Sequence, residues 1–313
     1  MRIIYLGTPE FAVPTLEALL CDPEFEVVAV VCQPDRPKGR GNKMEAPPTK
    51  QVAEKHGIKV FQPIALAKAP EVVEAMSELK PDILVMVAFG QILKKAVLTL
   101  APLGVVNVHG SLLPKLRGAA PINWAIINGD TMTGVTTMFT EAGVDTGPML
   151  LKAEIPISEE MTASELSKTM SHVGAALLID TLKRLKAGTL EPQRQDDSQF
   201  TYAPILTKEM GHLDFTRGAK DLHNLVRGLT PWPSTYAKLG GATVKIIKTR
   251  PADKGAPANC GTIFNEHGRL FVACGENGEE RLEILTLQPE SRGQMEAKNW
   301  LNGVRLEEGA CLA

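Results

Sequence analysis

The hydrophobic pattern changes period twice along the chain. Residues 2–7 (RIIYLG) carry Ile3, Ile4, Tyr5 and Leu6 in a row, and Gly7-Thr8-Pro9 turns the chain. Residues 10–20 place Phe11, Leu16, Leu19 and Leu20 at the spacing of an amphipathic helix. Residues 26–33 form a second β-branched run, 50–56 and 70–79 read as helices, and 82–89 (DILVMVAF) and 104–109 (GVVNVH) read as strands. Continuous apolar strands alternating with helical stretches predict βαβ units, and so a mostly parallel, Rossmann-like sheet covered on both faces.

Residues 162–186 form the best-defined helix. Thr162 and Glu165 have capping-box spacing, Leu166, Met170, Val173, Leu177 and Leu185 follow at helical intervals, and Gly188 is a stop. The stretch after Gly188 (TLEPQRQDDSQF) is polar and aperiodic, as expected of a linker. Short strands are predicted at 243–249, 261–265, 269–274 and 281–287, with helices at 218–229 and 294–301. The expected division is residues 1–188, a linker over 189–206, and a smaller OB-like β-barrel domain over 207–313.

Composition narrows the class without defining it. The chain has 313 residues, 44% hydrophobic and 22% charged, which argues against a disordered, collagen-like or coiled-coil protein. No apolar run approaches the ~20 residues of a membrane helix. The opening apolar run is too short for a signal peptide, so a cytoplasmic protein is expected. The five cysteines are dispersed with no CxxC, and no Cys/His cluster has metal-ligand spacing, so reduced thiols and no metal are expected. Net charge is only -2, yet residues 36–50 carry a local +4 and residues 208–254 a local +5. Two readings stand for these segments: solvated surface, or docking of a polyanion.

Several chemistries are missing. The first strand turn lacks GxGxxG, and the chain has neither GxxxxGK[ST] nor GxSxG. What remains is GVVNVHGSLLPKLRGAAP at 104–121. Strand alternation points Asn107 and His109 to one face, at the C-terminal end of a parallel strand where α/β sheets bind ligands. An amide beside an imidazole suits an oxyanion; the plainer alternative is a hydrogen-bonded histidine at a strand end. Asp145 sits in the loop AGVDTGP, either as a turn residue or as a carboxylate that orients His109 and favours its charged form.

The segments NVHGSLLPKLRGAAPI and AGVDTGPML closely resemble the formyltransferase family that uses 10-formyltetrahydrofolate. The resemblance maps that family's catalytic asparagine, histidine and aspartate onto Asn107, His109 and Asp145. LGTPEFAVPTLEALL, the QPDRP…GRG loop, Thr201-Tyr202-Ala203 and Pro231-Trp232-Pro233 extend it to the branch acting on aminoacylated tRNA. Two positions depart from the family pattern: Leu116, where an aromatic is common, and Ile205, where a lysine is common.

The resemblance implies formyl transfer from 10-formyltetrahydrofolate, as co-substrate, to the α-amine of methionine on initiator methionyl-tRNA, by a monomeric enzyme without a metal. It places Ser111, Leu112, Leu113 and Pro114 in the folate pocket, with Phe89 and Gly90 from the 86–92 stretch. For Phe89, core packing is an equal alternative. It also implies that the basic loop 34–48 reaches the tRNA acceptor end through Arg40, with Lys38 and Lys43 beside it. The rivals are a formyltransferase for a small amine, a 10-formyltetrahydrofolate hydrolase, and a non-catalytic RNA-binding protein.

Overall fold

Nearly every predicted strand and helix forms, with ends shifted by a few residues. The computed structural model describes residues 1–38, 43–307 and 309–313. The chain begins with β1 (Arg2–Gly7), α1 (Val13–Cys21), β2 (Glu26–Val31), β3 (Arg36–Lys38), β4 (Lys43–Glu45), α2 (Pro48–Lys55) and β5 (Lys59–Phe61). It continues through α3 (Pro70–Glu78), β6 (Ile83–Val87), α4 (Lys95–Leu98), β7 (Val105–His109), β8 (Arg117–Gly118) and α5 (Pro121–Ile127). Then come β9 (Met132–Phe139), β10 (Met149–Pro156), α6 (Ala163–Ala187) and β11 (Tyr202–Ala203). The remainder holds α7 (Ala219–Gly228), β12 (Thr235–Leu239), β13 (Ala242–Ala252), β14 (Ile263–Glu266), β15 (Arg269–Cys274), β16 (Glu280–Pro289), β17 (Met295–Glu296) and α8 (Ala297–Leu301).

Two compact units result, and they interleave in sequence. One holds Met1–Gly118, Thr133–Pro156 and Ser167–Ala203; the other holds Ala119–Met132, Ile157–Leu166 and Pro204–Ala313. The boundaries expected at 188 and 206 therefore do not coincide with the packing. Composition reads the chain linearly, whereas α5 and the start of α6 pack with residues far downstream.

In the first unit the sheet order is β10-β9-β7-β6-β1-β2-β5. The strands β7, β6, β1, β2 and β5 pair in parallel, and β9 runs antiparallel to β7. Ile3, Ile4, Tyr5 and Leu6 of β1 are fully buried, as befits a central strand covered on both faces. Helix α6 starts at a reciprocal cap between Thr162 and Glu165 and ends at Gly188, whose φ is +66°. Gly174 lets α6 lie close on the sheet, because a Cβ there would stand 2.9 Å from Val108 Cγ1. Val108 thus faces the helix, and alternation turns Asn107 and His109 to the other side of β7. Gly174→Val is expected to destabilise the protein by ~1–3 kcal/mol through overpacking, read by urea denaturation.

The second unit is built on an antiparallel sheet of order β12-β13-β16-β15-β14, with β17 on β16. Register shifts in β13 between Ile246 and Thr249 bend the sheet. Its two edges are both bridged by the last residues of the chain, Leu239 to Leu312 and Thr262 to Cys311. Among the described residues, the barrel-like curve thus closes through this tail and not by direct pairing of β12 with β14. Val244, Ile246, Val272, Leu282 and Ile284 fill its core with Leu222, Leu225 and Val226 of α7, and Ala120, Trp124 and Ile127 pack against it.

Glu283, only 4% exposed, lies on the other face of this sheet and accepts bonds from Arg269 and Arg250. Bonding to Arg269 holds its carboxyl below the ordinary range, with Arg250 adding to this against the opposing effect of burial. Its contribution to stability is therefore complete above about pH 4.3, the unfolded value, and is lost as pH falls through the lowered one. Glu283→Gln is expected to lower the melting temperature at pH 7 and to flatten its decline on acidification. Melting curves from pH 7 to pH 3 test this, and an unaltered acid slope would remove Glu283 from the account.

Candidate active site

Strand β7 carries Asn107 and His109, and the loop between β9 and β10 carries Asp145. Met86 of β6 is level with Asn107, and β9 places Met138 opposite Asn107 and Thr136 opposite His109. Asn107 is 7% exposed, yet its side-chain amide has no hydrogen-bond partner among the described residues, and its polar atoms are not sealed from solvent. A nearly buried amide left unpaired is unusual, because burial normally demands a partner. This one is free to bind something that is not protein.

His109 is 5% exposed, and its Nε2 lies 3.0 Å from the Leu116 carbonyl oxygen. A carbonyl only accepts, so this contact places a proton on Nε2. Nδ1 lies 3.6 Å from Asp145 Oδ2. That is too long for a hydrogen bond but is an ion-pair separation when the imidazole is charged. Asp145 Oδ2 also accepts the Gly118 backbone N–H at 2.9 Å. Leu116 and Asp145 both sit in left-handed backbone, at φ +58° and +52°, unusual for residues with side chains. His109 and Asp145 thus face each other, and Asn107 lies two residues before His109 on β7.

The loop carrying Leu116 is fixed from both sides. Thr136 Oγ1 donates to the Ser111 carbonyl and accepts from the Leu113 N–H. Ser111 Oγ donates to the Lys115 carbonyl, and Lys152 Nζ to the Leu113 carbonyl. Burial lowers the pKa of Lys152. Ser111 and Leu113 are each 1% exposed, so they shape this turn from within.

Phe89 and Gly90 fall elsewhere. They line a cleft of about 410 Å³ at the C-terminal ends of β1, β2 and β6, together with Thr8, Gln33, Arg36 and Glu45. None of Ser111, Leu112, Leu113 and Pro114 lines it, so the six expected folate residues divide between two places. Phe89 is 2% exposed and belongs to the core between sheet and helices.

The basic loop 34–48 contains the hairpin β3–β4, with Arg36 opposite Glu45 and Lys38 opposite Lys43. Lys43 is exposed, and Arg40 lies outside the described residues. Lys50, counted among the segment's cations, is paired with Asp35 at 2.9 Å, so its charge is answered locally.

Sequence reasoning missed a polar network next to the site. Arg117 (7% exposed) donates from Nε to Gln195 Oε1, and from a terminal nitrogen to Asp197. Thr201 accepts from Leu116 N and Arg117 N, and Tyr202–Ala203 pairs with Arg117–Gly118. The stretch expected to be a linker is, from 193 to 203, a strap over the loops that carry Leu116 and Asp145. The RGAAP and TYA segments were the available signal, but nothing in their spacing says that they meet.

The formyl transferase family model matches residues 1–182, and the formyl transferase C-terminal domain model matches residues 205–305. The chain belongs to the formyl transferase family. A curated methionyl-tRNA formyltransferase from Ruminiclostridium cellulolyticum is 48% identical, covering 99% of this chain and 98% of that one. Another, from Caldanaerobacter subterraneus subsp. tengcongensis, is 46% identical, with both chains covered completely. Among solved structures, an N-formyltransferase from Helicobacter canadensis, in complex with folinic acid and dTDP-3-aminofucose, has a TM-score of 0.67 at 21% identity. It covers 91% of this chain and 99% of its own, and shows the shared fold.

Proposed function

We propose that this chain transfers a formyl group from 10-formyltetrahydrofolate to the α-amine of methionine on initiator methionyl-tRNA, giving N-formylmethionyl-tRNA. The observation that carries the chemistry is the unpaired Asn107 amide beside His109. Full-length identity to methionyl-tRNA formyltransferases supports the acceptor.

The neutral amine attacks the formyl carbon, and negative charge develops on the formyl oxygen. Asn107 donates to that oxygen without first breaking a protein bond. The His109 Nε2–H joins it by turning from the Leu116 carbonyl, as donors in unliganded sites commonly re-aim when substrate binds. Asp145 faces Nδ1 and balances the imidazolium charge. The proton of the attacking amine passes through water to N10 as the C–N10 bond breaks, so that tetrahydrofolate leaves as a neutral amine and the oxyanion collapses to the new formamide carbonyl. No covalent enzyme intermediate is formed.

In this reading residues 1–188 carry catalysis and residues 207–313 grip tRNA. Ser111–Pro114, Phe89 and Gly90 border the folate, and Arg40, Lys38 and Lys43 approach the acceptor end. The enzyme works as a cytoplasmic monomer. No helix among the described residues is long and apolar enough to cross a membrane, and none of their His, Cys, Asp and Glu side chains groups into a metal site. The test is purified protein with labelled formyl donor, offered charged initiator tRNA and, separately, glycinamide ribonucleotide. Labelled formylmethionine from the first alone is expected; formylation of the small amine alone would overturn the reading.

A further inference from the structure

Gln195 is 5% exposed in an aperiodic stretch, and its amide is fully used. Nε2 donates to the Asp145 carbonyl and to the Gly147 carbonyl, both at 2.8 Å. Oε1 accepts from Arg117 Nε at 2.9 Å. One side chain therefore ties the loop that presents Asp145 to the residue between Leu116 and Gly118. Those neighbours supply the carbonyl on His109 and the N–H on Asp145.

We propose that Gln195 is a positioning residue for formyl transfer, setting the separation of Asp145 from His109 by clamping the 145–147 loop to Arg117. The assignment rests on the catalytic reading above. The geometry requires an amide. Asp145 holds left-handed backbone, so its loop has a local cost to meet, and the two Gln195 donors meet its carbonyls, the one on Gly147 buried and the one on Asp145 partly so. A carboxylate would keep the bond to Arg117 but would face two carbonyl oxygens. A shorter side chain would reach neither loop.

The test compares wild type, Gln195→Glu, Gln195→Ala and Asp197→Asn. The last weakens an exposed partner of Arg117 and spares Gln195. Gln195→Glu is near-isosteric and isolates the donors should Gln195→Ala fail to fold. Expected for Gln195→Glu is a kcat about 10- to 100-fold lower, the scale of a displacement near 1 Å, with KM for both substrates little changed. Amide exchange of Gly118, bonded to Asp145 Oδ2, should accelerate in Gln195→Glu and not in Asp197→Asn.

A kcat like wild type overturns the proposal. So does a lower kcat with unchanged Gly118 exchange, or one matched by an equal rise in KM, either of which would mean that Gln195 does not act through the Asp145 loop. The exchange measurement needs no acceptor and still judges whether Gln195 holds the loop. Failure of wild type to formylate methionyl-tRNA would instead overturn the functional reading.

Discussion

Asn107→Ala and His109→Ala each lower formyl transfer by ~10²–10³, the expected cost of removing one oxyanion donor. The two variants should differ in stability, and that difference separates catalysis from packing. The Asn107 amide has no hydrogen-bond partner among the described residues, so truncating it should leave the melting temperature nearly unchanged. His109 donates to the Leu116 carbonyl, and deleting the ring orphans that acceptor in a buried turn. A cost of roughly 1–3 kcal/mol is expected for His109→Ala from this alone. Single-turnover formylation of charged tRNA, at a temperature where all variants are folded, measures the catalytic loss. Near-normal turnover in Asn107→Ala would remove its amide from the mechanism.

The parallel strands and the long helix were legible because burial on both faces leaves continuous apolar runs such as IIYL and ILVMV, and because Thr162 and Glu165 write a cap into the sequence. The Asn107–His109 pair was legible because strand alternation needs only two neighbouring residues. The strap was not legible. Gln195, Thr201 and Arg117 find each other across about eighty residues, and polar groups satisfied by backbone carbonyls leave no periodicity. The closing of the second sheet by Leu312 and Cys311 was hidden for a related reason: single bridges are too short to show a strand pattern. Leu116 departs from the family pattern, but its backbone carbonyl, which any residue supplies, is what contacts His109.

A fragment ending at Ala203 keeps all seven strands of the first sheet, Asn107, His109 and Asp145, and the whole strap. A linear division makes that fragment self-sufficient; the interleaved packing does not. It would retain α5 and residues 157–166 while losing what they pack on. Trp124 would lose the Pro204 carbonyl, and Asn123 and Ile127 would lose Gly228, where an added Cβ would stand only 2.6 Å from Ile127 Cγ1. The Glu159 carbonyl would lose His223, and the Ser158 and Met161 carbonyls would lose Arg227. Ala120, Trp124 and Ile127 would face water, at about 1.5–3 kcal/mol for each large side chain re-exposed. The fragment is therefore expected to melt well below the intact chain and to self-associate. Trp124→Lys with Ile127→Lys should restore a monomer that still binds the folate donor. That monomer should bind tRNA more weakly than the intact chain and with a shallower salt dependence, because the phosphate contacts proposed for the second unit would be gone. Sedimentation, folate titration and tRNA binding across a salt series decide the matter. An unmodified fragment as stable and monomeric as the whole chain would show that the interleaved segments contribute nothing to its folding, and equal tRNA affinity at every salt concentration would show that residues 204–313 do not grip the nucleic acid.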